Sequence, residues 1–173
     1  MIRSIHMTQP AGHMHPRKLY TSLCECADAR ERATSGLAFM REACGAEEGF
    51  LLLWRGGELV LAASSTGHDA PSAIMARARE QWDWESDTQR DCDATLTIDA
   101  SKLVSVPETP RWEGAHGERY EPRFLGIYRD SAWVPVGMAV LRISQSGPLQ
   151  PIRRAYIDAI CNAMLDSGDV SAS

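Results

Sequence analysis

The stretch that decides the fold is Gly49-Phe50-Leu51-Leu52-Leu53-Trp54-Arg55-Gly56-Gly57-Glu58-Leu59-Val60-Leu61-Ala62-Ala63-Ser64-Ser65. Two apolar runs of strand length flank a Gly-Gly turn, the local signature of a β-hairpin. Side chains alternate along a strand, so Phe50, Leu52 and Trp54 share one face and Leu51 and Leu53 the other. Both faces are apolar. Such a strand lies inside a sheet and is covered on both sides.

Upstream, a first helix is predicted over 17–27, with Tyr20, Leu23, Cys24 and Ala27 on one side. Asp28 then reads as an N-cap with Glu31 three residues on, a capping box. The helix it opens carries Ala33, Leu37, Met40 and Cys44 on one stripe and ends at Gly45. Residues 1–16, with Pro10, Gly12 and Pro16, read as a flexible leader. Its His6, His13 and His15 have no fixed geometry for a metal, so no metal site is expected.

Downstream, a helix is predicted over 71–84 behind Pro71, with Ile74, Met75, Ala78 and Trp82 inward. The segment 86–93 is polar and acidic. Short strands are expected over 95–98 and 103–106, and Pro107, Pro110, Gly114 and Gly117 mark an irregular excursion. A second hairpin is predicted from strands over 120–129 and 133–143. In the latter, Val134, Val136, Met138, Val140 and Arg142 are expected on one face, and Ala139 and Leu141 on the other. Pro135 has no N–H to give, so full pairing is expected only beyond it. A last helix after Pro151 presents Ile152, Ala155, Tyr156, Ala159, Ile160, Ala163 and Met164, and 167–173 reads as a flexible tail. No linker divides 17–166, which is read as a single domain.

A chain of 173 residues, 44% hydrophobic and 24% charged, is long enough to bury a core of its own. Its net charge of -5 argues against a nucleic-acid partner. No apolar run reaches the roughly 20 residues that span a bilayer, so no membrane partner is expected. The N-terminus lacks the apolar core of a secretory signal. The five cysteines, Cys24, Cys26, Cys44, Cys92 and Cys161, are odd in number and follow no framework spacing. Reduced thiols, no disulfide and a cytoplasmic location are the expectation.

The order of elements (two helices, a hairpin with a Gly turn, a helical and loop insert, a second hairpin, a closing helix) resembles a GAF domain. The local likeness rests on Ala43-Cys44-Gly45-Ala46-Glu47-Glu48-Gly49-Phe50-Leu51-Leu52-Leu53 and on Pro135-Val136-Gly137-Met138-Ala139-Val140-Leu141. Trp112 and Gly114, with Gly117, Tyr120 and Pro122, are similar to GAF domains attached to bacterial serine/threonine kinases. The resemblance implies an α+β fold of the GAF/profilin-like type: a five- to six-stranded antiparallel sheet between helical layers, first and last helices together on one side. The Asn-Lys-Phe-Asp-Glu signature of cyclic-nucleotide-binding members is missing. So are the Cys-His context of bilin binders and the cysteine set of free methionine sulfoxide reductases.

A pocket of the kind the resemblance implies would lie between one sheet face and the insert over 65–120. Trp54, Ser64, Trp82, Trp84 and Tyr120 are the candidate ligand-binding residues, since aromatics with one polar edge line such sites. The competing reading of each tryptophan is plain core filling. No catalytic constellation is visible. Asp91-Cys92-Asp93 surrounds its sulfur with carboxylates, which oppose a thiolate. His68 and His116 accompany no nucleophile motif, and the glycine pairs lack the Lys of a phosphate loop. The chain is therefore read as non-enzymatic, with its cofactor unknown. One expected function is a sensory or regulatory domain that binds a small molecule and signals through its terminal helices. The alternatives are a dimerisation and interaction domain without a ligand, and a thiol redox enzyme. The last helix carries an apolar stripe wider than the roughly 100° that one sheet face needs. That surplus predicts a symmetric homodimer built on the terminal helices.

Overall fold

A computed structural model describes residues 13–93, 111–145 and 147–171, and of 85–93 the backbone alone. The strands predicted over 95–98 and 103–106 lie outside the described residues. So do residues 1–12 of the leader and residues 172–173.

Helix α1 spans Pro16–Cys24, with proline at its first turn, and the His15 Nδ1 accepts the Arg17 N–H at 3.2 Å. It ends three residues short of the predicted Ala27 because the next helix takes that residue for its own cap. In α2 (Ala29–Cys44) the Asp28 carboxylate accepts the Glu31 N–H at 2.8 Å, while the Glu31 carboxylate reaches back to the Ala27 N–H at 2.6 Å. Gly45, at φ 66°, closes α2: its own N–H reaches the Glu42 carbonyl and the Ala46 N–H that of Arg41.

Strands β1 (Gly49–Arg55) and β2 (Glu58–Ser64) form the first hairpin. Helix α3 then runs over Ser72–Asp93, nine residues beyond the expected end, since no Gly or Pro interrupts that stretch. A two-residue strand β3 (Trp112–Glu113) falls where only an irregular excursion was predicted. Strands β4 (Arg119–Arg129) and β5 (Ala132–Arg142) turn through Asp130 and Ser131, both at positive φ, the geometry of a tight two-residue hairpin. Helix α4 spans Arg154–Asp166.

The sheet has the order β2-β1-β5-β4-β3 and every pairing is antiparallel. As the sequence predicts, β1 sits between its hairpin partner and β5, with Leu52 opposite Leu61 on one side and Met138 on the other. One face packs Leu51 and Leu53 against α1, α2 and α4; the other packs Phe50 and Leu52 against Ile74, Ala78 and Trp82 of α3. The molecule is α+β, an antiparallel sheet between helical layers, with α1 and α4 side by side on one of them.

The expected alternation of β5 fails at one point. Val134 and Val136 face the same core as Ala139 and Leu141, opposite Met138 and Val140. Leu125 pairs with Gly137 but the following Gly126 pairs with Pro135, so Val136 is an extra residue, a β-bulge. One inserted residue reverses the phase of everything before it. Pairing of β5 to β1 starts at Gly137, beyond Pro135, whereas pairing to β4 runs the whole strand. Gly137 is required here. A Cβ on it would stand 2.1 Å from the Leu52 carbonyl oxygen.

Two further expectations are corrected. The segment 167–171 is not a loose tail: Asp169 and Val170 are buried, and Asp169 forms an ion pair with the buried Arg32 at 2.7 Å. At the other end Met14, assigned to the leader, is buried, and its carbonyl accepts the Tyr156 hydroxyl at 2.6 Å. The apolar stripe of α4 is also taken up inside the chain. Tyr156, Ala159, Ile160, Ala163 and Met164 are all in the helical-side core, and only Ala155 of the stripe is exposed. The apolar surplus from which a homodimer was predicted is therefore used within one copy.

Leu52→Ala should lower stability by roughly 2–5 kcal/mol, the range for truncating a fully buried aliphatic side chain. Gly137→Ala should cost about 2–3 kcal/mol, because its Cβ meets backbone rather than a side chain that can move. Urea unfolding of both variants checks this; a loss under about 1 kcal/mol in either would place that residue outside the close-packed centre.

Candidate functional site

The α3 face of the sheet carries an aromatic layer. Trp54 reaches it from the far end of β1, and Trp82 from α3, where Ile74, Ala78 and Trp82 recur every four residues and all are buried. The Trp54 and Trp82 rings stack with centroids 5.4 Å apart, and Trp82 stacks in turn on Phe124 of β4 at 6.5 Å. At the other end of the same face Phe50 meets Tyr120 at 6.3 Å, and Ser64 lies opposite Phe50 across the hairpin. Trp112 sits buried in this cluster beside Tyr120, its partner across β3 and β4.

Of the five candidate residues, Trp54, Trp82 and Tyr120 thus belong to one cluster, and Ser64 stands at its rim with its hydroxyl 3.2 Å from that of Thr66. Trp84 does not join them. Two residues beyond Trp82 on a helix is the opposite side, and its side chain is 60% exposed. Sequence reasoning missed Phe50, Phe124 and Trp112 as members. The strand alternation that places Phe50 beside Trp54 was the available signal; for Phe124, opposite Met138, it was the register of the second hairpin.

The inner part of the layer is filled: Trp82, Trp112 and Tyr120 are each 4% exposed. Its margin is not. Trp54, Leu61, Met75 and Phe124 are all half-buried and packed against it. Burial, then the carboxylates of Glu48 and Glu118, push the Tyr120 phenol above its ordinary range, so it stays protonated at neutral pH. The margin offers ring faces and aliphatic edges, chemistry for a flat apolar group.

Three of the thiols, Cys26, Cys44 and Cys161, are buried and poorly placed for nucleophilic chemistry, whereas Cys24 is exposed. Cys24, Cys26, Cys44 and Cys161 are all free, and the side chain of Cys92 lies outside the described residues. Burial is the first cause raising Cys26 and Cys44; at Cys44 the Arg123 guanidinium pulls the other way. Burial pushes Cys161 up to about 12. Among the described residues no group of three or more His, Cys, Asp or Glu could hold a metal ion, and no helix is long and apolar enough to cross a membrane.

A second feature is a groove of about 360 Å³ between α1 and α4, lined by Pro16, Arg17, Tyr20, Ala155, Asp158 and Asp166 among others. The Tyr20 hydroxyl donates to Asp166 at 2.9 Å, and Arg129 donates to Asp166 and to Asn162. The bond to Asp166 raises Tyr20 to about 12, and Arg129 first, then Tyr20, holds the Asp166 carboxyl low. Within the groove Tyr20 and Asp166 thus engage each other, while Asn162 and Asp166 are held from outside it by Arg129.

No family model matches the chain, and neither curated proteins nor solved structures yield a match.

In the folded protein Cys24 should be the first of these four thiols alkylated at mildly alkaline pH, with Cys161 unreacted. Because folding raises the Cys161 pKa from 9.0 to about 12, its contribution to stability is full below 9 and drains as pH climbs through 12. Cys161→Ala should therefore flatten the alkaline fall of unfolding free energy. Mass-resolved alkylation and urea unfolding across that window check both, and all five thiols should react once the chain is unfolded without reductant.

Proposed function

We propose that the chain is a non-enzymatic regulatory domain of the GAF-like type, which takes up a small, flat, apolar molecule at the Trp54 margin and passes the change to its terminal helices. The order of elements, the central first hairpin and the pairing of α1 with α4 support the resemblance. One observation carries the relay. Among the described residues Trp54 alone packs against both cores, the α3-side aromatic cluster and the helical-side cluster that includes α1 and α4. A ring that shifts Trp54 against Trp82 acts on both layers at once.

A second reading is an interaction domain that dimerises and binds nothing small. The filled inner layer, with Trp82, Trp112 and Tyr120 each 4% exposed, favours it. Its surface test is at Ala155, which lines the α1–α4 groove and is exposed, rather than at the buried Ala159.

Native mass spectrometry of the purified chain, followed by titration with a polarity-sensitive aromatic dye, separates the two. The regulatory reading predicts a bound mass or saturable dye binding that Trp54→Ala weakens about tenfold or more, as loss of an aromatic contact does. An empty chain that binds no dye, and sediments as a dimer dissociated by Ala155→Glu, would contradict it.

A further inference from the structure

We infer that residues 167–171 are a releasable latch, docked by the buried Arg32–Asp169 pair and held to the same end of β1 whose Trp54 ring reads the α3 side. This goes beyond the ligand reading and does not depend on it.

The chain leaves α4 through a sharp reversal. Gly168 takes φ 74°, its N–H reaching the Leu165 carbonyl and the Asp169 N–H that of Met164. The reversal turns the backbone away from the helix axis and lays it across α2 and β1. There the Asp169 carboxylate takes both Arg32 Nε at 2.7 Å and Nη2 at 3.4 Å. Arg55 Nε donates to the Asp169 carbonyl at 2.6 Å, and the Ser171 N–H to the Trp54 carbonyl at 3.2 Å. Val170 is buried between these anchors.

Three features make this a device with two positions rather than a fixed strap. First, the attraction within the buried pair is offset by the water both charges lost on docking, and lifting the segment returns that water to Arg32 and Asp169 together. Second, Arg32 keeps partners when Asp169 leaves. Its Nη1 also donates to the Leu23 and Cys26 carbonyls at the end of α1, at 3.2 and 3.4 Å, while Asp169 passes to solvent. Third, the backbone of Trp54 holds Ser171 on one side and its ring stacks on Trp82 on the other. A displacement of the ring that shifts the end of β1 carries the carbonyl, and with it the anchor.

Amide hydrogen exchange of the full chain tests this, with Ser171 as reporter, Asp169 marking the helix end and Leu52 marking global opening. The latch predicts a protected Ser171 amide in the wild type. Asp169→Asn should speed its exchange about tenfold or more, the loss of a charged hydrogen bond. Trp82→Phe, remote from the latch, should speed it several-fold, with the Asp169 and Leu52 amides unchanged. If Trp82→Phe does not fold, Trp54→Phe reads the same coupling. Fast Ser171 exchange in the wild type, or no change in the aromatic variants, would overturn the latch or its coupling respectively. Ser171 and Leu52 moving together would reduce it to global unfolding.

Discussion

The architecture depends on the contact between β1 and β5 at Leu52 and Gly137. The two strands approach so closely there that a methyl group on Gly137 would overlap the Leu52 carbonyl oxygen. β1 is thereby enclosed on four sides: two backbone neighbours and two layers of side chains. A strand with no edge and no wet face leaves its polar backbone nowhere to turn but the ladder. The bulge at Val136, immediately before Gly137, lets β5 serve both β1 and β4 while Pro135 contributes no N–H.

Because the sheet is apolar on both faces, it divides the interior into two cores that do not merge. The helical-side core holds α1, α2 and α4, and fixes the ends of the packed chain through Met14 and Val170. The other holds α3 and the stacked aromatic layer. Packed cores rearrange between discrete arrangements rather than deforming smoothly, so a residue shared by two of them is where the relay we propose would act. Trp54 occupies that position, at the open end of β1 where the sheet no longer screens one face from the other.

The central hairpin, its second neighbour, the capping box at Asp28 and Glu31 and the inward stripe of α3 were legible in the sequence, because each rests on short-range periodicity or cap chemistry. What escaped it depends on partners far along the chain. The phase reversal in β5 comes from one unpaired residue, Val136; Pro135 and Gly137 beside it mark a place where a bulge can form, but not which residue is left over. Arg32 and Asp169 are 137 residues apart, and Asp169 sits in a short polar segment that reads as solvent-facing until its partner is known. At the site, Trp54, Trp82 and Tyr120 were identified for their chemistry, and the fold brings them onto one face. Trp84, chosen on the same grounds, is carried to the outer side of α3 by helical geometry. The α4 stripe was correctly apolar, but sequence could not tell that α1, α2 and the sheet together consume it.

The central claim is that β1 is an interior strand with β2 and β5 on either side. Nuclear Overhauser contacts of the Leu52 backbone test it most directly. The account predicts cross-strand contacts to both Leu61 and Met138, in antiparallel register. Contacts to Leu61 alone, leaving β1 at an edge, or a parallel pattern toward β5, would contradict it.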